Sequence, residues 1–136
     1  MNKACPIVIR ERPNGKEILV FRHPLAGNQV VKGTIESGET LKSACERELF
    51  EESGIKAICK SYLGEWVSNY ENQVWGFYLM KTTGSLPDNW VHFTEDGGGL
   101  EFSFFWYSLN SDTDDTFHPL FQGAISYIKK GYSKQA

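Results

Sequence analysis

The chain has 136 residues, 40% of them hydrophobic, and a formal charge of −3. That length allows one domain, residues 1–136, with a proper core, and the negative balance supplies no basic field for holding duplex nucleic acid. The opening MNKACPIVIRERP has too brief an apolar run for a secretory signal or a membrane span, so a cytoplasmic protein with no membrane partner is expected.

Taken in order, Lys3 to Arg10 and Glu17 to Arg22 flank Pro13-Asn14-Gly15, and Asn-Gly between apolar runs signals a hairpin. His23 to Val31 reads as irregular. Gly33 and Gly38 then shape a turn into a helix from Leu41 to Glu52, with Thr40 as N-cap and Gly54 as the left-handed stop. On that helix Leu41, Ala44, Cys45 and Leu49 make one apolar stripe, with glutamates beside it. Tyr62 to Ser68 and Gln73 to Lys81 read as strands around Asn69-Tyr70-Glu71-Asn72, and Leu100 to Leu109 as a third, strongly aromatic strand. Gly84 to Gly99 reads as a long loop, and a loop of this length in a compact domain is usually functional or mobile. With Glu95 and Asp96 beside three consecutive glycines, it is a candidate lid over substrate. Pro119 to Lys130 has helical spacing, with Leu120, Ala124, Ile125 and Ile128 on one side.

Cys5, Cys45 and Cys59 are an odd set without CxxC spacing and read as small buried thiols, not as a disulfide framework or a zinc site. His23, His92 and His118 are too scattered for a metal triad. The distinctive chemistry lies on the first helix, where Glu48, Glu51 and Glu52 stand at offsets of zero, three and four and share a face. Like charges so spaced destabilise an isolated helix by roughly a few tenths of a kcal/mol per pair. A solvated acidic face is the common meaning of such a run. A hard divalent cation such as Mg²⁺, bound through carboxylates and substrate phosphates, is the functional alternative.

The surroundings favour the second meaning. Gly33 to Ile55 reads GTIESGETLKSACERELFEESGI: Gly, five residues, Glu39, seven residues, then Arg47-Glu48-Leu49-Phe50-Glu51-Glu52-Ser53-Gly54-Ile55. This segment resembles the Nudix box at every defined position. The resemblance implies a Nudix fold, an α/β/α sandwich around a mixed sheet, and a hydrolase that cleaves a phosphoanhydride bond in a nucleoside diphosphate linked to another moiety. It implies Mg²⁺ or Mn²⁺ as cofactor. Glu51 and Glu52 match the principal metal ligands, and Glu48 matches a ligand or the general base. Arg47 matches the residue that orients that carboxylate, Glu39 the acid that steadies loop and helix, and backbone oxygen near Lys32 and Gly33 a metal contact. Glu95, Asp96 and Glu101 are the alternatives for the base, since some members place it on a later loop or strand.

Outside the box, Lys32 is a candidate phosphate contact, as a flexible point charge. Val31 stands where a related Pro-Lys-Gly pattern has proline. Trp66, Tyr70, Trp75, Phe77 and Trp90 are candidate stacking platforms, with Trp75 and Phe77 carried as substrate-binding candidates, and for any of them core packing is the competing role. The partner expected is a small nucleotide or nucleotide derivative. Many members of the family pair as homodimers, though no isolated amphipathic segment here demands it. A Nudix-fold binding or regulatory module without hydrolysis is the alternative, and such a module is expected to have lost box carboxylates, whereas this chain retains them.

Overall fold

A computed structural model describes residues 1–95 and 98–135. The strands are β1 (Lys3–Ile7), β2 (Ile9–Arg12), β3 (Gly15–His23), β4 (Gly27–Gln29), β5 (Gly33–Thr34), β6 (Ala57–Val67), β7 (Val74–Thr82), β8 (Trp90–Thr94) and β9 (Leu100–Ser108). The helices are α1 (Leu41–Ser53) and α2 (Pro119–Gln135). One sheet runs β5-β1-β7-β6 and the other β2-β3-β9-β8, with β4 on β3. The β1–β7 pair is parallel and the other strand pairs are antiparallel, so the arrangement is mixed.

The strands form a middle layer with a core on each face, because successive strand residues point to opposite sides. Cys5, Ile18, Val20, Trp75 and Phe77 pack with Phe121, Ala124, Ile125 and Ile128 of α2. Ala4, Leu19, Phe21, Phe102 and Phe104 pack with Ala44, Cys45 and Leu49 of α1. This is the α/β/α sandwich expected from the sequence. No helix among the described residues is long and apolar enough to cross a membrane.

Six elements differ from the reading by pattern; two of them are β4, which forms inside the stretch read as irregular by pairing with β3, and β6, which begins at Ala57 and not at Tyr62 because it pairs with β7 back to Thr82. The hairpin pairs β2 with β3, but β1 belongs to the other sheet, and the chain changes sheets at Val8, whose carbonyl still accepts from Leu19 N–H at 2.9 Å. Gly33 lies in β5, paired with Ala4, and not in a turn. The Gly84 to Gly99 segment contains β8, which pairs with β9 from Trp90–Phe104 to Thr94–Leu100; Asp96 and Gly97 lie outside the described residues. Helix α2 continues past Lys130, because Gly131 lets it lie close on β6: a Cβ there would meet the Leu63 carbonyl oxygen at 3.0 Å.

Candidate active site

Helix α1 is fixed at both ends by its own sequence. Thr40 Oγ1 accepts from Ser43 N–H at 3.1 Å while Ser43 Oγ accepts from Thr40 N–H at 3.2 Å, a reciprocal cap that satisfies two otherwise orphaned donors. At the other end Gly54 is left-handed at φ +81 and donates to the Phe50 carbonyl. Strand β8 covers that end: Trp90 Nε1 donates to the Ser53 carbonyl at 3.0 Å, and His92 Nε2 stands 3.0 Å from the Glu51 carbonyl, which accepts in the Nε2–H tautomer.

Between these ends Arg47 gathers the acids. Its Nε and Nη2 donate to the two oxygens of Glu39 at 2.7 and 2.8 Å, a bidentate pair of the strong, charge-assisted kind. Nη2 also donates to the Thr34 carbonyl at 3.0 Å, and Nη1 to Glu48 at 2.8 Å and Glu51 at 3.2 Å. Glu39 further accepts from the Glu36 N–H at 2.9 Å. One guanidinium therefore ties the loop before the helix to the glutamates on it. The hydrogen bonds to Glu39, then to Glu48, push the Arg47 proton affinity well above its ordinary value.

Gly33 has a spatial role here. A Cβ at Gly33 would fall on the carboxyl carbon of Glu48, so only glycine lets that carboxylate lie against β5. Glu48 and Glu52 are both buried, at 6% and 8% exposure, whereas Glu51 is exposed. Shared helix face thus resolves into two inward acids and one outward acid. Among the described residues no three His, Cys, Asp or Glu side chains converge as a metal-holding group; in this structure it is Arg47 that draws the carboxylates together. The donors fit the divalent cation that the family resemblance implies, since carboxylate oxygens suit a hard ion and Gly33 leaves room for the Glu48 carboxylate.

Lys32 lies on the flank. Its Nζ donates to Gln73 Oε1 at 3.3 Å and stands 5.0 Å from the Trp75 ring centre. Burial first, then Lys3, lowers its pKa, while Cys5, Glu52 and Glu71 act in the opposite direction. Trp75 and Phe77 are fully buried and lie in the α2-side core, so the packing role applies to both and neither offers an open stacking surface. β7 is an inner strand covered on both faces, so residues on either side of it are core. Glu95 and Glu101 are exposed at the β8 end and on β9. Cys5 and Cys45 are buried, Cys59 is half-buried, and none is bridged; burial pushes the Cys59 thiol up to about 12. Gln73 was not singled out from sequence, where a polar residue opening an apolar strand gives no signal of burial.

The Arg47 clamp sets a pH dependence. Its hydrogen bonds, then that of the Glu36 N–H, hold the Glu39 carboxyl down at about 2 against an ordinary 4.5. A depressed carboxyl stabilises the fold above its unfolded value, and that contribution is lost as pH falls through the folded one, between about 4.5 and 2 here. The Glu39 carboxyl resonance is expected to titrate near the lower limit and to move back toward 4.5 in Arg47→Met. A wild-type midpoint above 4 would contradict the clamp.

The fold and this box together define the class of Nudix proteins. A family model described as the NUDIX domain matches residues 1–119, and the chain belongs to that family. Among curated relatives, the NAD-capped RNA hydrolase NudC of Actinobacillus succinogenes is 34% identical over 92 residues, which cover 62% of this chain and 32% of that protein. The chain thus spans about a third of the length of the relatives it matches. Among solved structures, an ADP-ribose pyrophosphatase from Streptococcus suis 89-1591 superposes with a TM-score of 0.68 at 11% identity, over 96% of this chain and 90% of that one. A MutT protein from Methanosarcina mazei Go1 gives 0.66 at 15%, over 98% and 93%. At these identities the structural likeness speaks for the fold alone.

Proposed function

We propose that the chain is a divalent-metal-dependent diphosphohydrolase, cleaving a pyrophosphate bond in a nucleoside diphosphate linked to another moiety. The carrying observation is the Arg47 clamp, which holds Glu48 against Gly33 and engages Glu51 on a helix whose Glu52 favours the charged form of Lys32. An acidic set beside a half-buried cation offers one sign of charge to a metal ion and the other to phosphate. A non-hydrolytic binding module is expected to have lost some box carboxylates, and this chain retains Glu48, Glu51 and Glu52.

In this reading Glu51 and Glu52, with Glu48, would hold Mg²⁺ or Mn²⁺, which when bound neutralises phosphate charge and lowers the pKa of water. The protein's own part is positioning: Arg47 orients Glu48, the candidate base, and Lys32 meets a phosphate oxygen. Glu95 and Glu101 remain the alternative bases. The NudC relative's NAD-capped RNA and the neighbour's ADP-ribose share a nucleoside diphosphate joined to a second group, and that is the substrate class proposed here. The charge of −3 supplies no basic field for duplex nucleic acid, so a small nucleotide derivative is the proposed partner. Three free thiols suit a reducing compartment, so the cytoplasm is the proposed place of action.

Phosphate or nucleotide release from nucleoside triphosphates, dinucleoside polyphosphates, ADP-ribose, NAD and NAD-capped RNA, with and without Mg²⁺, tests this. Chelation is expected to abolish activity while leaving the melting transition in place, because the two apolar cores supply most of the stability. Added Mg²⁺ or Mn²⁺ should restore turnover. Full activity in excess EDTA would contradict the metal-assisted reading, and binding without cleavage of any compound would favour the non-hydrolytic one.

A further inference from the structure

The turn between β6 and β7 carries an arrangement that the box does not explain. Asn69, Glu71 and Asn72 all adopt left-handed backbone at φ 58, 49 and 57. Asparagine tolerates that region and glutamate does so only at a cost, and such local strain clusters where a segment is held for function. The turn leads into Gln73, whose backbone N–H donates to the Tyr70 carbonyl at 2.9 Å and whose carbonyl accepts from Ser68 Oγ at 2.7 Å.

The Gln73 side chain is only 8% exposed. Its Oε1 accepts from two donors, Trp75 Nε1 at 3.0 Å and Lys32 Nζ at 3.3 Å. Both partners can only donate, which fixes the amide orientation: the oxygen faces them and the NH₂ faces away. Among the described residues that NH₂ donates to no protein group, and it is not closed off from solvent, so it is free to meet a ligand. Gln73 also lines a cavity of about 470 Å³ with Val67, Asn69, Glu71, Asn72 and Val74. No cation lines that cavity and a carboxylate does, so it repels phosphate and suits an uncharged group. The cation is at the other end of the same amide.

We propose that Gln73 is a specificity-determining residue whose amide N–H groups donate to an acceptor on the nucleoside half of the substrate, seated in this cavity while Lys32 meets the pyrophosphate. This rests on the diphosphohydrolase reading. A donor with its own oxygen already engaged reads acceptors alone, such as a base carbonyl, a ring nitrogen or a ribose oxygen. It therefore discriminates by what it finds opposite it, and a site built around such a hydrogen bond rejects analogues that lack the partner.

Two variants separate reading from bracing. Gln73→Glu keeps an oxygen for Trp75 and Lys32 and removes the donors; Gln73→Met removes the donors without adding charge. Calorimetric titration with ADP, GDP, CDP, UDP, 2′-deoxy-ADP and inorganic pyrophosphate gives a spread of Kd values, with thermal melting to confirm that each variant folds. The wild type is expected to discriminate among the nucleotides, and both variants to compress the spread by about tenfold, the effect of one lost hydrogen bond. A spread that is absent in the wild type, or unchanged within twofold in both variants, overturns the proposal, even where all affinities fall together with that of pyrophosphate. Binding requires no turnover, so discrimination by a chain that cleaves nothing would sink the hydrolase reading and leave this one standing. Hydrolysis with an unaltered spread would do the reverse.

Discussion

Glu52→Gln is expected to lower kcat by about two to four orders of magnitude, the range for losing a key electrostatic or acid/base group. Glu52 sits on α1 at 8% exposure, close enough to Lys32 to influence its charge. The amide keeps the shape of the carboxyl and removes its charge, so the buried position on α1 stays filled. A neutral group in a buried position asks less of the fold than a charged one, and the melting temperature should not fall. Lys32 loses a neighbour that favours its protonated form, and its pKa should drop further. Weakened Mg²⁺ affinity, with partial rescue at high Mn²⁺, would mark the loss as one of ligation. A kcat within threefold of wild type would remove Glu52 from the site.

Helix α1 could be read almost to the residue because its determinants are local: Thr40 and Ser43 at the start, Gly54 at the end, and an apolar stripe between. The Arg47–Glu39 relation was legible only through the family pattern, since eight residues separate the pair. What stayed hidden depends on distant partners. WVHFT has strand composition, yet the glycines that follow it dominate the local pattern, and its pairing with β9 is what makes it β8. The hairpin signal at Asn14-Gly15 located β2 and β3, but nothing near β1 announces its parallel partner, with Lys3 opposite Trp75 and Ile7 opposite Leu79. For Trp75 and Phe77 packing is the better reading over stacking, but sequence alone does not tell which face of β7 is core, because β7 is covered on both faces. Gln73 has no pattern at all: its meaning comes from Lys32, brought to it from 41 residues away, together with Trp75 two positions on.

Gly33→Ala is expected to disable the site through space alone. Other glycines of the box are held by backbone conformation, Gly38 at φ +83 in open surroundings and Gly54 at φ +81, but Gly33 sits in a strand paired with Ala4. A methyl group there occupies the position of the Glu48 carboxyl, which must swing away. Glu48 is gripped by Arg47 at 2.8 Å, so its displacement pulls on the guanidinium that also holds Glu39 and Glu51. A shift of about 1 Å in a positioned group can lower turnover by roughly 10²-fold, and overpacking of this kind costs about 1–3 kcal/mol of stability. The variant should therefore fold with a lowered melting temperature and lose most of its kcat. Gly38→Ala offers the contrast: its Cβ meets nothing within 4 Å, so only backbone strain is added and kcat should suffer far less. Equal losses in the two variants would mean that loop conformation, and not room for Glu48, is what the glycine at 33 provides.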